Sequence, residues 1–225
     1  DFIIVCEGGT DAFKGHPDLD HRAYDNWHKN LFTEKLKDKD VVSPEPYRIW
    51  EYYNQKCSLA QGYDIAINNK GLRDLPKPRM FLSKEELLMG RQIVNQVKEK
   101  LKKEKVIIIQ PFGRGINHVD NTFVDSTGRS IEFKDLKELI RKLQENDFAV
   151  VTMAEMGFDF TKDKFKDDVA MPESVSLRHW SAAIKFANHF IGCDSVGQHL
   201  SYIMDTPSTI ILGPTYPINV SYPDC

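Results

Sequence analysis

The sequence predicts an α/β protein built on a parallel, Rossmann-like sheet, and three observations predict it. Short, almost wholly apolar runs recur at residues 106–109, 148–152, 190–193 and 209–212. Amphipathic stretches separate them, most clearly over 133–146, where Phe133, Leu136, Leu139, Ile140 and Leu143 share one helical face. Loops containing glycine follow three of the runs, at 111–115, 194–197 and 213–215. Strands alternating with helices point to parallel pairing, and strands apolar throughout suit a sheet covered on both faces.

Each element follows from local chemistry. Phe2-Ile3-Ile4-Val5-Cys6 reads as a buried strand leading into Gly8-Gly9-Thr10. An aromatic and histidine-rich segment runs from His16 to Phe32, and we expect it to be helical from about His21. Pro44-Glu45-Pro46 breaks the chain, Tyr47 to Tyr53 suits a helix, and Tyr63-Asp64-Ile65-Ala66-Ile67 reads as a short strand. Leu72 to Arg79 holds Pro76 and Pro78 among charges, and each proline lacks an amide donor and biases its predecessor away from helix. This stretch reads as a linker, dividing the chain into 1–74, a partial N-terminal domain, and 75–225, a C-terminal Rossmann-like domain. Ser83 supplies an N-cap with Glu85 and Glu86 in the first turn of a helix reaching about Lys103. Ser176 caps a further helix to about Ala187, and another runs from the 194–197 turn to about Met204. Four strands with intervening helices thus occupy 105–215, and residues 217–225 carry no closing helix. The chain opens on Asp1 directly before a strand, and we expect it to be part of a longer protein.

Composition narrows the function. The 225 residues are 41% hydrophobic and 28% charged, an ordinary globular balance. Net charge is −3, with no basic field of the kind a polyanionic backbone requires, so nucleic acid is not an expected partner. The lysines at 98, 100, 102, 103 and 105 alternate with acids at helical spacing, as on a solvated helix face. Cys6, Cys57, Cys193 and Cys225 form no CxxC pair and suit reduced thiols, the pattern of the cytosol. No apolar run approaches the ~18 residues of a membrane span.

In an open parallel sheet, ligands bind beyond the C-terminal strand ends. Gln110-Pro111-Phe112-Gly113-Arg114-Gly115 offers two glycines for close backbone approach and, in Arg114, bidentate donors to a phosphate; it is equally readable as a turn with a surface arginine. Asp194-Ser195-Val196-Gly197-Gln198-His199 passes from strand to helix, placing free amides and a positive helix end at the sheet edge. Asp194 or Ser195 could equally be a simple cap, and His199 a packing residue. Leu212-Gly213-Pro214-Thr215 alone is a turn.

Together these pieces carry a resemblance. Val175-Ser176-Leu177-Arg178-His179-Trp180, Gly192-Cys193-Asp194-Ser195-Val196-Gly197-Gln198-His199-Leu200 and Thr206-Pro207-Ser208-Thr209-Ile210-Ile211-Leu212-Gly213-Pro214-Thr215-Tyr216-Pro217 are similar, in wording and order, to the C-terminal domain of heptosyltransferase-like enzymes of glycosyltransferase family nine. The similarity covers roughly 75–217. It implies a GT-B architecture and metal-independent transfer of a sugar from a nucleotide-diphosphate sugar to a glycan or lipid-linked acceptor. No cofactor beyond the donor is implied, and a lipid-linked acceptor would bring a cytosolic enzyme to the inner face of a membrane. Carried over by position, Asp194, Ser195, Gly197 and His199 would contact diphosphate and ribose. Gly113, Arg114 and Gly115 match the loop after the domain's first strand, and Met153 and Glu155 match where base and ribose rest. The family draws an aspartate base from a glycine-rich turn in its N-terminal domain, which makes Asp11 the candidate here. His16, His21, Tyr24, Trp27 and His28 suit either a sugar-binding surface or core packing. The sequence departs from the family where the turn reads Asp-Ser-Val-Gly, where Gln110-Pro111-Phe112 replaces His-Pro-Gly, and where a lysine after that loop has no counterpart. A nucleotide-sugar epimerase or a non-catalytic nucleotide- or glycan-binding protein of the same fold are the competing readings.

Overall fold

The computed structural model describes residues 2–119, 122–153, 169–170 and 175–222. The chain divides into two compact units, Asp1–Ser83 and Lys84–Cys225.

In the first unit, β1 (Ile4–Cys6) pairs in parallel with β2 (Ala23–Asp25), in register Ile4 to Ala23. The helix expected from His21 is instead one turn at Asp20–Arg22 followed by this strand. One side-chain and one backbone bond decide it: Asp25 Oδ1 accepts the Trp27 amide at 2.8 Å, and the Asn26 backbone amide crosses to the Cys6 carbonyl at 3.0 Å. Such bonds give the backbone an alternative to the helical ladder. Helical turns at Leu31–Leu36 and Pro46–Arg48 precede α1 (Trp50–Tyr53) and α2 (Leu59–Asn68). The strand expected at 63–67 lies inside α2. Ser58 and Gln61 form a capping box there, with Gln61 N bonded to Ser58 Oγ at 3.3 Å and Ser58 N to Gln61 Oε1 at 3.0 Å. That start signal outweighs a five-residue apolar run whose periodicity is ambiguous. Residues 69–83 carry no helix or strand, as two closely spaced prolines require.

In the second unit, α3 (Lys84–Leu101) leads to β3 (Lys105–Gln110). A hairpin, β4 (Ile116–Val119) and β5 (Thr122–Asp125), then precedes α4 (Phe133–Glu145) and β6 (Phe148–Thr152). Next come β7 (Val169–Ala170), α5 (Leu177–Phe186), β8 (His189–Cys193), α6 (Val196–Ile203), β9 (Ser208–Ile211) and the single turn α7 (Pro217–Val220). The sheet order is β7-β6-β3-β8-β9, every pair parallel. Counted within the sheet this is 3-2-1-4-5, the doubly wound order, with its direction reversing between β3 and β8. Among the described residues the sheet has five strands where four were expected, with β7 described over two residues. The β4–β5 hairpin was not expected, and neither was α7, whose Asn219 and Val220 are buried.

β3 lies at the centre, and Val106, Ile107, Ile108 and Ile109 are 0–4% exposed. Strand alternation sends Ile107 and Ile109 to the face where Leu136 and Ile140 of α4 pack with Val150 and Ile191. α3 and α5 cross closely: a Cβ on Gly90 would run into the Ala182 backbone. Their contact is pinned by Arg178, which donates to both Glu86 carboxylate oxygens at 2.5 and 2.9 Å while 6% exposed.

Candidate functional site

The switch point between β3 and β8 is where helices leave the sheet in opposite directions and a crevice opens above the strand ends. β3 delivers Gln110 there, 8% exposed. Its Nε2 donates to Ser195 Oγ at 3.1 Å, and its Oε1 accepts the Gly197 amide at 2.7 Å. One carboxamide thus stitches the end of the central strand to the start of α6. Gly197 has no room for a side chain, since a Cβ would strike Gln110 and the Phe190 ring. Its amide therefore serves the protein's own Gln110, while Ser195 is half-buried and Val196 is 40% exposed on the same turn.

The loop after β3 is held by the turn that follows β5. Gly113 N donates to Ser130 Oγ at 3.2 Å, and a Cβ on Gly115 would stand 2.7 Å from Asp125 Oδ1. Arg114 is exposed between these glycines. Asp125 is the hub: it accepts from the Thr127 amide (2.7 Å) and hydroxyl (2.5 Å), the Arg129 amide (3.1 Å) and the Ser130 amide (2.7 Å). Burial pushes this carboxyl up, but the bonds from Ser130 and Thr127 outweigh it and hold the group far below the usual carboxylate range. Gly128, at φ +64, lets the turn fold back under Gly213.

That turn brings Arg129 to the crevice. Its Nε donates to Thr127 Oγ1 at 3.2 Å, and Nη1 stands 4.0 Å from Asp194 Oδ2, with a third of the side chain exposed. Asp194, 7% exposed, also accepts from Thr215 Oγ1 at 2.7 Å. The carboxylate is thus occupied with orienting an arginine and a threonine. The strand before it ends in Cys193, a buried thiol pushed up to about 11 by burial and so kept protonated.

His199 sits one turn into α6, and its Nδ1 lies 2.6 Å from Tyr222 Oη. Burial lowers its pKa, and Asp194 opposes this by favouring the charged ring. Met153 is buried at the end of β6, its amide bonded to the Ile109 carbonyl at 2.7 Å. Glu155 lies outside the described residues. Asp11 belongs to the first unit, in the turn after β1, paired with Lys14 at 2.5 Å. Among the described residues, no three His, Cys, Asp or Glu side chains are grouped to hold a metal ion.

The structure therefore gathers Gly113, Gly115, Asp194, Ser195 and Gly197 at the C-terminal ends of β3 and β8, with Arg114 exposed in the loop after β3. Arg129, Asp125, Thr127, Ser130 and the Gln110 carboxamide escaped sequence reasoning. The readable signal was Asp125-Ser126-Thr127-Gly128-Arg129-Ser130, dense in residues that bond their own backbone.

No protein-family model and no curated protein matches the chain. Among solved structures it is similar to a glycosyl transferase of family 9 from Veillonella parvula DSM 2008, at 12% identity and a TM-score of 0.57, over 85% of this chain and 51% of that one. It is also similar to the ADP-heptose LPS heptosyltransferase II of E. coli, at 13% identity and a TM-score of 0.48, over 72% and 50%. The chain spans about half the length of the solved structures it matches. At such identities the likeness is one of fold: the chain shares the α/β fold of the matched part of the family 9 glycosyl transferase.

Proposed function

We propose that the chain carries the donor site of a glycosyltransferase, which moves a sugar from a nucleotide-diphosphate sugar to a glycan or lipid-linked acceptor without a metal ion. The observation that carries this reading is Arg129, whose Nε donates to Thr127 and whose Nη1 stands 4.0 Å from Asp194, the residue that follows β8 at the switch point. A guanidinium fixed before the ligand arrives lowers the cost of ordering it on binding. As the bond to the sugar breaks, negative charge grows on the leaving diphosphate, and a preorganised cation stabilises it most. Arg129 would fill the place of the lysine that this sequence lacks. Asp194, being anionic, serves by aiming Arg129 and Thr215 rather than by touching phosphate. Met153 lies at the neighbouring strand end, where base and ribose would rest, and Asp11 stands as the candidate base toward the acceptor hydroxyl.

The test is calorimetric titration of ADP-, GDP-, UDP- and CMP-sugars into the full chain, followed by analysis of the products. At least one donor should bind, and Arg129→Ala should weaken it about thirty-fold, the worth of a charge-assisted pair. Binding unaffected by Arg129→Ala would overturn the site. Binding without sugar release or transfer would favour a non-catalytic protein.

A further inference from the structure

The end of the described chain folds back onto α6. Gln198 Nε2 donates to the Val220 carbonyl, and two residues later Tyr222 reaches His199. The Tyr222 ring is stacked on Tyr202, 3.9 Å between centroids and 7° from parallel, and stands edge-on to the imidazole at 5.6 Å and 83°. An aromatic ring clamped on its face, with its hydroxyl on one ring nitrogen of a histidine, leaves that histidine little freedom.

From this geometry we infer that Tyr222 fixes His199 in the tautomer carrying its proton on Nε2, making the ring a permanent donor at that nitrogen. At 2.6 Å the contact is shorter than N–H···O bonds usually run, which favours the phenol as donor and Nδ1 as acceptor. In a neutral imidazole the proton must then sit on Nε2. Burial favours both required states, lowering His199 toward neutrality and raising Tyr222 so that its hydroxyl stays protonated. His199 follows Ser195 by four residues, so the two lie on one face of the helix start, and the ring is near enough to Asp194 to feel its charge. A donor there suits a phosphate or ribose oxygen. A ring whose Nδ1 is already bonded does not serve as a base through that nitrogen. Tyr222 is thus a positioning residue acting through His199.

The inference rests on the donor-site reading for its consequence, but not for the tautomer itself. Side-chain nitrogen NMR of the histidine-labelled full chain, with the His199 signal assigned by its loss in His199→Gln, should show Nε2 protonated and Nδ1 bare. Tyr222→Phe should shift that signal toward a tautomer mixture. It should also weaken ADP binding about five-fold, the worth of one oriented hydrogen bond, with the fold checked by the unchanged remaining histidine signals. A proton found on Nδ1 in the wild type overturns the inference. So does an ADP affinity untouched by Tyr222→Phe. If the wild type binds none of the ADP-, GDP-, UDP- and CMP-sugars while the tautomer is as stated, the donor reading fails and the Tyr222 assignment survives.

Discussion

Lys84–Cys225 has a closed core: Ile108, Ile109, Leu136, Ile140, Ile184 and Phe190 are all at most 1% exposed. In Asp1–Ser83, Leu31 and Cys57 are the buried hydrophobic residues among those described, while Trp27 is 84% exposed, Tyr53 78% and Phe32 75%. One unit is held by a closed core beneath a sheet, the other by caps and turns whose hydrogen bonds are short in sequence. The difference matters for the crevice. Asp194 and Ser195 follow the end of β8, Arg129 hangs from a turn tied to the half-buried Asp125 carboxylate, and a rigid platform is what a preorganised anion site needs. Local turns can hold a shape, but each contributes only about 1 kcal/mol.

The largest effect should come from the core. Leu136→Ala removes a side chain that is 0% exposed from the α4–sheet contact and should cost about 3–4 kcal/mol, the transfer energy plus the cavity left behind. Urea unfolding followed by circular dichroism measures it. In native-state hydrogen exchange the amides of β3 should be the slowest, and those of the first unit much faster. A loss below about 1 kcal/mol would mean that α4 is not seated on the sheet as described, and the contrast between the units would collapse.

The same contrast explains what the sequence disclosed. The parallel sheet is legible because β3, β6 and β8 are apolar without interruption, and a strand buried on both faces has no polar side to confuse the period. β7 is described over two residues and leaves no run to read. α2 misleads because its Tyr63 to Ile67 stretch fits a strand as well as a helix, and only Ser58 with Gln61 separates the two. At the site, Asp194 and Ser195 are legible as members of a strand-turn-helix motif. Arg129 is not, because its role is created by Asp194, a partner far along the chain, and by the left-handed Gly128 that swings the turn inward. Gln110 reads as a departure from a family pattern, while its two bonds to the α6 start are visible only in three dimensions.

An intermediate effect is expected at the hub. Asp125→Asn replaces an acceptor of four bonds by a group that must turn donors toward some of the same amides, and should cost about 2 kcal/mol at neutral pH. The sign with pH follows from the depressed carboxyl. Its contribution is complete above the unfolded value near 4 and is lost as pH falls toward the lower folded value. The stability gap between wild type and Asp125→Asn, from urea midpoints between pH 7 and pH 2, should therefore narrow on acidification. A gap constant with pH would show that the charge of Asp125 does not organise the turn. Nucleotide affinity should fall together with the stability, because Arg129 hangs from the same turn.

The smallest effect tests the other side of the comparison. Ser58→Ala removes the cap acceptor of α2 and frees the Gln61 amide, which should cost the first unit about 1 kcal/mol, seen as faster amide exchange over 59–62. Exchange in β3 should not change, because the capping-box bonds between Ser58 and Gln61 lie within the first unit. If Ser58→Ala instead loosens β3 as much as α2, the two units unfold as one. The stability of the first unit would then be drawn from the core of the second rather than from its own turns.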